Sequence, residues 1–105
     1  MSGFCRYEVL LPLEFNDGQP VPEELIGITQ KEIRERFGAA PQDPKPIKGQ
    51  WKHDGQVFRE KLARIWVDVE DSAENRQFFV ELKERLKKRF QQLDIWISKH
   101  PVELL

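Results

Sequence analysis

Residues 72–93 carry the clearest helical pattern in the chain. Apolar residues recur there at steps of three and four and form one stripe, made of Phe79, Leu82, Leu86, Phe90 and Leu93. Asp71 or Ser72 is suited to cap the start of the helix. Lysine and arginine near its end suit the negative pole of the helix dipole. The pattern predicts an amphipathic helix over residues 72–93, with the stripe facing a core.

The segments around this helix predict the fold. Strand patterns cover residues 5–13, 47–52, 56–69 and 94–102, and a second helical pattern covers residues 22–37. Gly27 leaves open whether that helix is continuous or breaks near residues 27–29, with Thr29 capping a second segment. The order β-α-β-β-α-β is that of a ferredoxin-like α+β fold. We predict one domain over residues 1–105, with a four-stranded antiparallel sheet and two helices on one face.

The composition argues against several classes of protein. The chain has 105 residues, 39% of them hydrophobic and 33% charged, with a net charge of −1, which argues against a general polyanion binder. No apolar run approaches the roughly 20 residues of a membrane helix, and the N-terminal residues lack the apolar segment of a signal peptide. Cys5 is the single cysteine, which excludes an internal disulfide. We therefore expect a cytoplasmic protein.

Strand parity identifies an uncovered face of the sheet. Successive side chains of a strand alternate between its faces, and one parity is uniformly apolar at Val9, Leu11, Ile65, Val67 and Val69. These residues should face the helices. The opposite parity, which we call the open face, carries Arg6, Glu8, Phe58, Glu60, Leu62, Arg64, Trp66, Asp68, Trp96 and His100. The register of the second strand leaves it undecided whether Trp51 joins this face.

Three interpretations of the open face compete. An aromatic and arginine-rich surface is typical of protein interfaces, so we favour a homodimer or protein-interaction module that uses this face. Its anchors would be Phe58, Trp66 and Trp96, with Glu60, Arg64 and Asp68 setting register and specificity. The alternative is a ligand-binding protein or small enzyme, with a pocket around Trp66, Glu60, Arg64 and Asp68 and with His53 or His100 nearby as a base. The third interpretation is a solvated sheet, partly covered by loops or by residues 102–105.

Other site chemistries have little support in the sequence. His53, His100 and Cys5 do not have a metal-ligand spacing, and the glycines form no phosphate-binding loop, so we expect no metal and no cofactor. The predicted helix over residues 72–93 carries a run of basic residues, which makes nucleic-acid binding a second alternative. The run comprises Lys83, Arg85, Lys87, Lys88 and Arg89. Glu81 and Glu84 interrupt this run, which favours a solvated helix face over a nucleic-acid partner.

The chain resembles a group of small bacterial proteins of unknown function along its whole length. The resemblance is carried by the segments FNDGQPV, RFG, GQW, the Asp54-Gly55 turn with VDV after it, and ENRQFFVELKERLKKRFQQLDIWI. It implies no activity, cofactor or catalytic residue. At the level of the fold the chain is similar to dimeric α/β-barrel proteins, which pair ferredoxin-like sheets face to face. That similarity implies a homodimer through the open face, and fold alone does not fix function.

Overall fold

The computed structural model describes residues 3–105, and its elements follow the predicted order. They are β1 (Phe4–Pro12), α1 (Glu23–Phe37), β2 (Ile47–His53), β3 (Gln56–Glu70), α2 (Ala73–Arg89) and β4 (Trp96–Val102). The four strands form one antiparallel sheet in the order β2-β3-β1-β4. The predicted ferredoxin-like α+β fold is therefore confirmed. No helix within residues 3–105 has the length and apolar character needed to cross a membrane.

The core lies between the two helices and the apolar side chains of the two central strands, β1 and β3. Val9 and Leu11 of β1 and Ile65 of β3 are almost completely buried. The ring of Tyr7 stacks on Phe79 of α2, with 3.9 Å between centroids. β1 and the part of β3 that pairs with it therefore bury every second side chain, as the alternation predicts, and their other side chains lie on the open face.

Helix α1 is continuous across Gly27. Thr29 does not cap a second segment: its side chain is completely buried, and its hydroxyl donates a hydrogen bond to the carbonyl of Leu25 at 2.9 Å. The helix ends at Gly38, whose φ of 84° lies in the left-handed region and whose N–H donates to Arg34. Tertiary packing of the buried stripe thus outweighs the low helix propensity of one glycine.

Helix α2 ends earlier than the sequence predicts. Ser72 caps its start by accepting a hydrogen bond from the N–H of Asn75 at 3.1 Å. At the other end the N–H of Phe90 still donates to Leu86, and Gln91 then adopts a φ of 56°, which turns the chain out of the helix. Phe90 is completely buried, whereas Leu93 is 97% exposed. The prediction that Leu93 belongs to the core is wrong, because the helical period no longer applies beyond Phe90.

Strands β2 and β3 form a hairpin that extends past the rest of the sheet. Asp54 and Gly55 make its two-residue turn with φ values of 50° and 78°, as the favoured hairpin turns require. The pairing of β3 with β1 ends at Pro12, opposite Leu62. Residues 50–59 lie beyond this point, pair only with one another and are all exposed. We call residues 50–59 the arm.

Candidate functional site

All six predicted site residues lie on the open face. In the strand register Arg6 is opposite Asp68, Glu8 is opposite Trp66, and Trp96 is beside Leu10. The six residues are Phe58, Glu60, Arg64, Trp66, Asp68 and Trp96. They do not form one cluster. Their contacts place some of them in the middle of the open face and the others at the end of the sheet next to the arm.

Arg6, Trp66 and Asp68 form a packed group in the middle of the open face. The Arg6 guanidinium donates two hydrogen bonds to the Asp68 carboxylate, at 2.8 and 3.1 Å. The same guanidinium lies 4.2 Å from the centroid of the Trp66 ring, a cation–π distance. The hydrogen bonds from Arg6 hold the pKa of Asp68 below its ordinary value. This carboxylate is therefore a structural anion and is unsuited to act as a base near neutral pH.

Arg64 connects the sheet to the loop that precedes β2. Its Nε donates to Glu8 at 2.7 Å, and its Nη1 donates to Asp43 at 3.1 Å. Its guanidinium lies 5.7 Å from the Trp66 ring, on which Arg6 also packs. Of the charged residues predicted to set specificity, Arg64 is therefore paired with Glu8 and Asp43, and Asp68 is paired with Arg6. Their arrangement stabilises the sheet, and the arginines and carboxylates described beside Trp66 are paired with each other.

The two histidines do not form a catalytic relay. His100 Nε2 lies 3.0 Å from Ser98 Oγ and 3.5 Å from a carboxylate oxygen of Glu8. A serine–histidine–acid relay uses both ring nitrogens, whereas here one nitrogen faces both partners. His53 is at the exposed tip of the arm beside Asp54, with 3.2 Å between Nε2 and Oδ2. Within residues 3–105 no three His, Cys, Asp or Glu side chains are placed to hold a metal ion.

The pairing of Arg6 with Asp68 predicts a pH-dependent contribution to stability. We expect Asp68→Asn to lower the free energy of unfolding by about 1 kcal/mol at pH 7, since it removes a charge-assisted bidentate contact. The folded-state pKa of Asp68 is depressed. Its contribution is therefore fully present above the ordinary aspartate pKa of about 3.9 and is lost as the pH falls below it.

Urea titrations of the wild type and Asp68→Asn at pH 7, 5 and 3 measure this contribution. The difference in unfolding free energy between the two proteins should persist at pH 5 and decrease at pH 3. Asp54→Asn is the control, because the Asp54 side chain is 88% exposed in the arm turn; it should change stability little at any of the three pH values. If Asp68→Asn lowered the free energy of unfolding equally at pH 7 and pH 3, the contribution of the Arg6–Asp68 ion pair would be contradicted.

A groove of about 610 Å³ opens at the end of the open face next to the arm. Leu10, Pro12 and Leu62 form its apolar floor, while Trp51 and Trp96 lie at its two sides. Trp51 is 47% exposed and Trp96 is 66% exposed. We call this the tryptophan groove. Its volume lies within the range of small-molecule sites.

The side chains at one end of the groove are held in place by contacts. The ring of Trp51 stacks on Phe58 with 4.5 Å between centroids. Its indole N–H donates to Glu60 Oε1 at 3.1 Å. These two contacts orient the Trp51 ring, and they place one carboxylate at the edge of the groove.

A second carboxylate, Asp94, lines the groove at the end of the α2–β4 loop. It accepts hydrogen bonds from Lys83 and from the N–H of Ile95, both at 3.0 Å, which lower its pKa. None of the described residues that line the groove is a lysine or arginine. The groove is therefore apolar, with Glu60 and the Lys83-paired Asp94 at its edge, a combination that suits a flat ligand bearing a positive charge.

Sequence reasoning identified part of this groove. Glu60 and Trp96 line it, and Phe58 lies behind Trp51 in an adjoining cleft of about 460 Å³. The other three predicted residues lie outside it; they are Arg64, Trp66 and Asp68. Strand parity alone does not decide the face of Trp51, but counting outward from the two-residue turn at Asp54 and Gly55 pairs it with Phe58 on the open face.

The basic run on α2 is largely neutralised. Lys83 contacts Asp94, Lys87 contacts Glu84, and Arg85 contacts Glu32, at distances of 2.9–3.0 Å. Arg89 also contacts Glu32 and donates a hydrogen bond to the buried hydroxyl of Thr29 at 2.9 Å. Most of these cations therefore connect elements of the fold, and they do not form a surplus of positive charge on the helix surface.

The comparisons with known proteins support the fold. No family model matches the chain, and no curated protein matches it. A solved phage SAM lyase in complex with S-methyl-5'-thioadenosine is similar, with a TM-score of 0.70 and 18% identity over 96% of this chain and 83% of the other. A phage SAM lyase in its apo state is also similar, with a TM-score of 0.58 and 23% identity over 95% and 81% of the two chains. The comparisons lend no support to the bacterial group.

Proposed function

We propose that this chain is a small-molecule-binding protein whose tryptophan groove accepts a cationic adenosine derivative of the S-adenosylmethionine class. The observation that carries the proposal is the pair of half-exposed indoles, Trp51 and Trp96, at the two sides of one apolar groove with a negative edge. An indole provides a stacking surface for a purine, worth about 1–3 kcal/mol per base. It also attracts a cation placed over its face.

The charges of the groove favour a sulfonium or ammonium group over a phosphate. Glu60 and Asp94 are its carboxylates; Lys83 pairs with Asp94 from outside the lining, so the negative charge that a ligand cation would meet is that of Glu60. The methyl and methylene groups of such a ligand would lie on the floor of Leu10 and Leu62. We propose binding without a catalytic step, because Glu60 already accepts the Trp51 N–H and Asp94 already accepts from Lys83.

The structural neighbour supports this ligand class. The phage SAM lyase with a TM-score of 0.70 holds S-methyl-5'-thioadenosine, an adenosine thioether. At 18% identity the similarity concerns the fold, so the ligand class rests on the groove of this chain together with that likeness. A shared fold can carry unrelated functions, which makes direct binding measurements the test.

Isothermal titration calorimetry with three ligands tests the proposal. We expect S-adenosylmethionine to bind more tightly than the neutral S-methyl-5'-thioadenosine, and ATP to show no binding because its phosphates meet the negative edge. Trp96→Ala should weaken binding of S-adenosylmethionine by about tenfold or more, which is the loss of one stacking contact. The absence of binding by both S-adenosylmethionine and S-methyl-5'-thioadenosine would refute the proposed function.

Phe4→Ala is the matched control. Phe4 is an aromatic residue that is 43% exposed on the open face, at the end of β1 away from the groove. This variant should bind S-adenosylmethionine as the wild type does. An equal loss of affinity in Phe4→Ala and Trp96→Ala would place the ligand outside the tryptophan groove.

A further inference from the structure

The isolated chain exposes more surface than its mass requires. A compact monomer of 12.5 kDa has an accessible surface of about 6,200 Å², whereas this chain has 7472 Å². Its radius of gyration is 14.5 Å, compared with about 13 Å for a compact domain of this length. The excess surface is roughly 1,300 Å², and the extents of 45 × 30 × 25 Å show that the chain is elongated.

The arm contributes to this excess surface. Residues 50–59 are a two-stranded ribbon beyond the end of β1, and all of them are exposed. A lone two-stranded ribbon is marginally stable in water. Its open face nevertheless carries two stacked aromatic rings, with Trp51 47% exposed and Phe58 38% exposed. An exposed aromatic patch on a ribbon of this kind is typical of an interaction surface.

We infer that the arm is an interface with a second copy of the same chain, and that the two arms pack their aromatic faces together across a two-fold axis. The exposed surface area of the chain supports a second copy as the partner. Standard interfaces bury about 800 Å² per partner, so an interface of that size would bring the exposed surface of each chain closer to that of a compact monomer. A two-fold interface uses the same patch on both copies, and the arm presents one patch centred on Trp51 and Phe58.

The charges along the arm fit the same symmetry. On the open face His53 lies at the tip, the aromatic pair lies in the middle, and Glu60 lies at the base. A two-fold axis that passes through the aromatic pair, in the plane of the contact and perpendicular to the strands, places the tip of one arm over the base of the other. His53 of one copy then lies near Glu60 of the second copy, a favourable arrangement whenever the imidazole is protonated.

Light scattering after gel filtration, without added ligand, tests the inference. The wild type should have twice the monomer mass of 12.5 kDa and should dissociate on dilution. Phe58→Glu should give the monomer mass at concentrations at which the wild type is dimeric. Val57→Glu is the control on the same arm, because Val57 is 54% exposed on the opposite face; it should remain dimeric.

Circular dichroism and a urea midpoint for each variant show whether the fold is retained, and a second variant, Trp51→Glu, repeats the test at the neighbouring position. A wild type that is monomeric at all concentrations would overturn the inference. A larger assembly, a dimer retained by both Phe58→Glu and Trp51→Glu, or a dimer lost equally in Val57→Glu would also overturn it. The mass is measured without ligand, so failure here is distinguishable from failure of ligand binding.

Discussion

Phe90→Ala is expected to lower the free energy of unfolding by about 4 kcal/mol, while Leu93→Ala changes it by less than about 0.5 kcal/mol. Both residues belong to the helical stripe in the sequence, but Phe90 is completely buried and Leu93 is 97% exposed. Truncating a buried phenylalanine removes its apolar contacts and leaves a cavity that the core fills only partly. A side chain in water loses nothing comparable when it is shortened.

Urea titrations followed by circular dichroism, at one protein concentration for all variants, measure the two effects. Leu82→Ala provides a reference for an undisputed core position on α2, because Leu82 is also completely buried. We expect it to cost about 3 kcal/mol. If Leu93→Ala were as destabilising as Leu82→Ala, helix α2 would continue past Phe90, and the α2–β4 loop that lines the tryptophan groove would be misplaced.

The fold was predictable because its determinants are local and periodic. Alternation in β1 and β3 identified both faces of the sheet, and the stripe from Phe79 to Phe90 identified the buried side of α2. The end of α2 was not predictable in this way. Gln91 takes a left-handed conformation without being a glycine or asparagine, so no residue of the usual kind marks the exit from the helix.

The candidate site was predictable as a face but not as a groove. Parity placed Phe58, Glu60 and Trp96 correctly, because a strand has only two sides. The groove depends on how far β2 and β3 extend past Pro12, and on the path of the α2–β4 loop. Asp43 joins the network of Arg64 from a loop distant in sequence, and no periodic pattern indicates such a contact.

The second large effect is expected at Arg64. We expect Arg64→Met to lower the free energy of unfolding by about 3 kcal/mol. The Arg64 side chain is 19% exposed and Glu8 is 23% exposed, so the substitution leaves a partly buried carboxylate without its hydrogen-bond donor. Removing one partner of a buried ion pair costs about 3–5 kcal/mol, and partial exposure puts this pair near the lower end. The contact to Asp43 is lost as well.

A double-mutant cycle separates loss of the ion pair from loss of packing. Glu8→Gln alone should destabilise the protein by about 1 kcal/mol, since the neutral amide still accepts a hydrogen bond from Arg64. In the Arg64→Met background the same change should restore stability, because it removes the unpaired charge. Arg59→Met, at an exposed arginine of the same strand, should change stability by less than about 0.5 kcal/mol. Additive effects of Arg64→Met and Glu8→Gln would show that Arg64 acts through its packing on Trp66 and that its pairing with Glu8 contributes little.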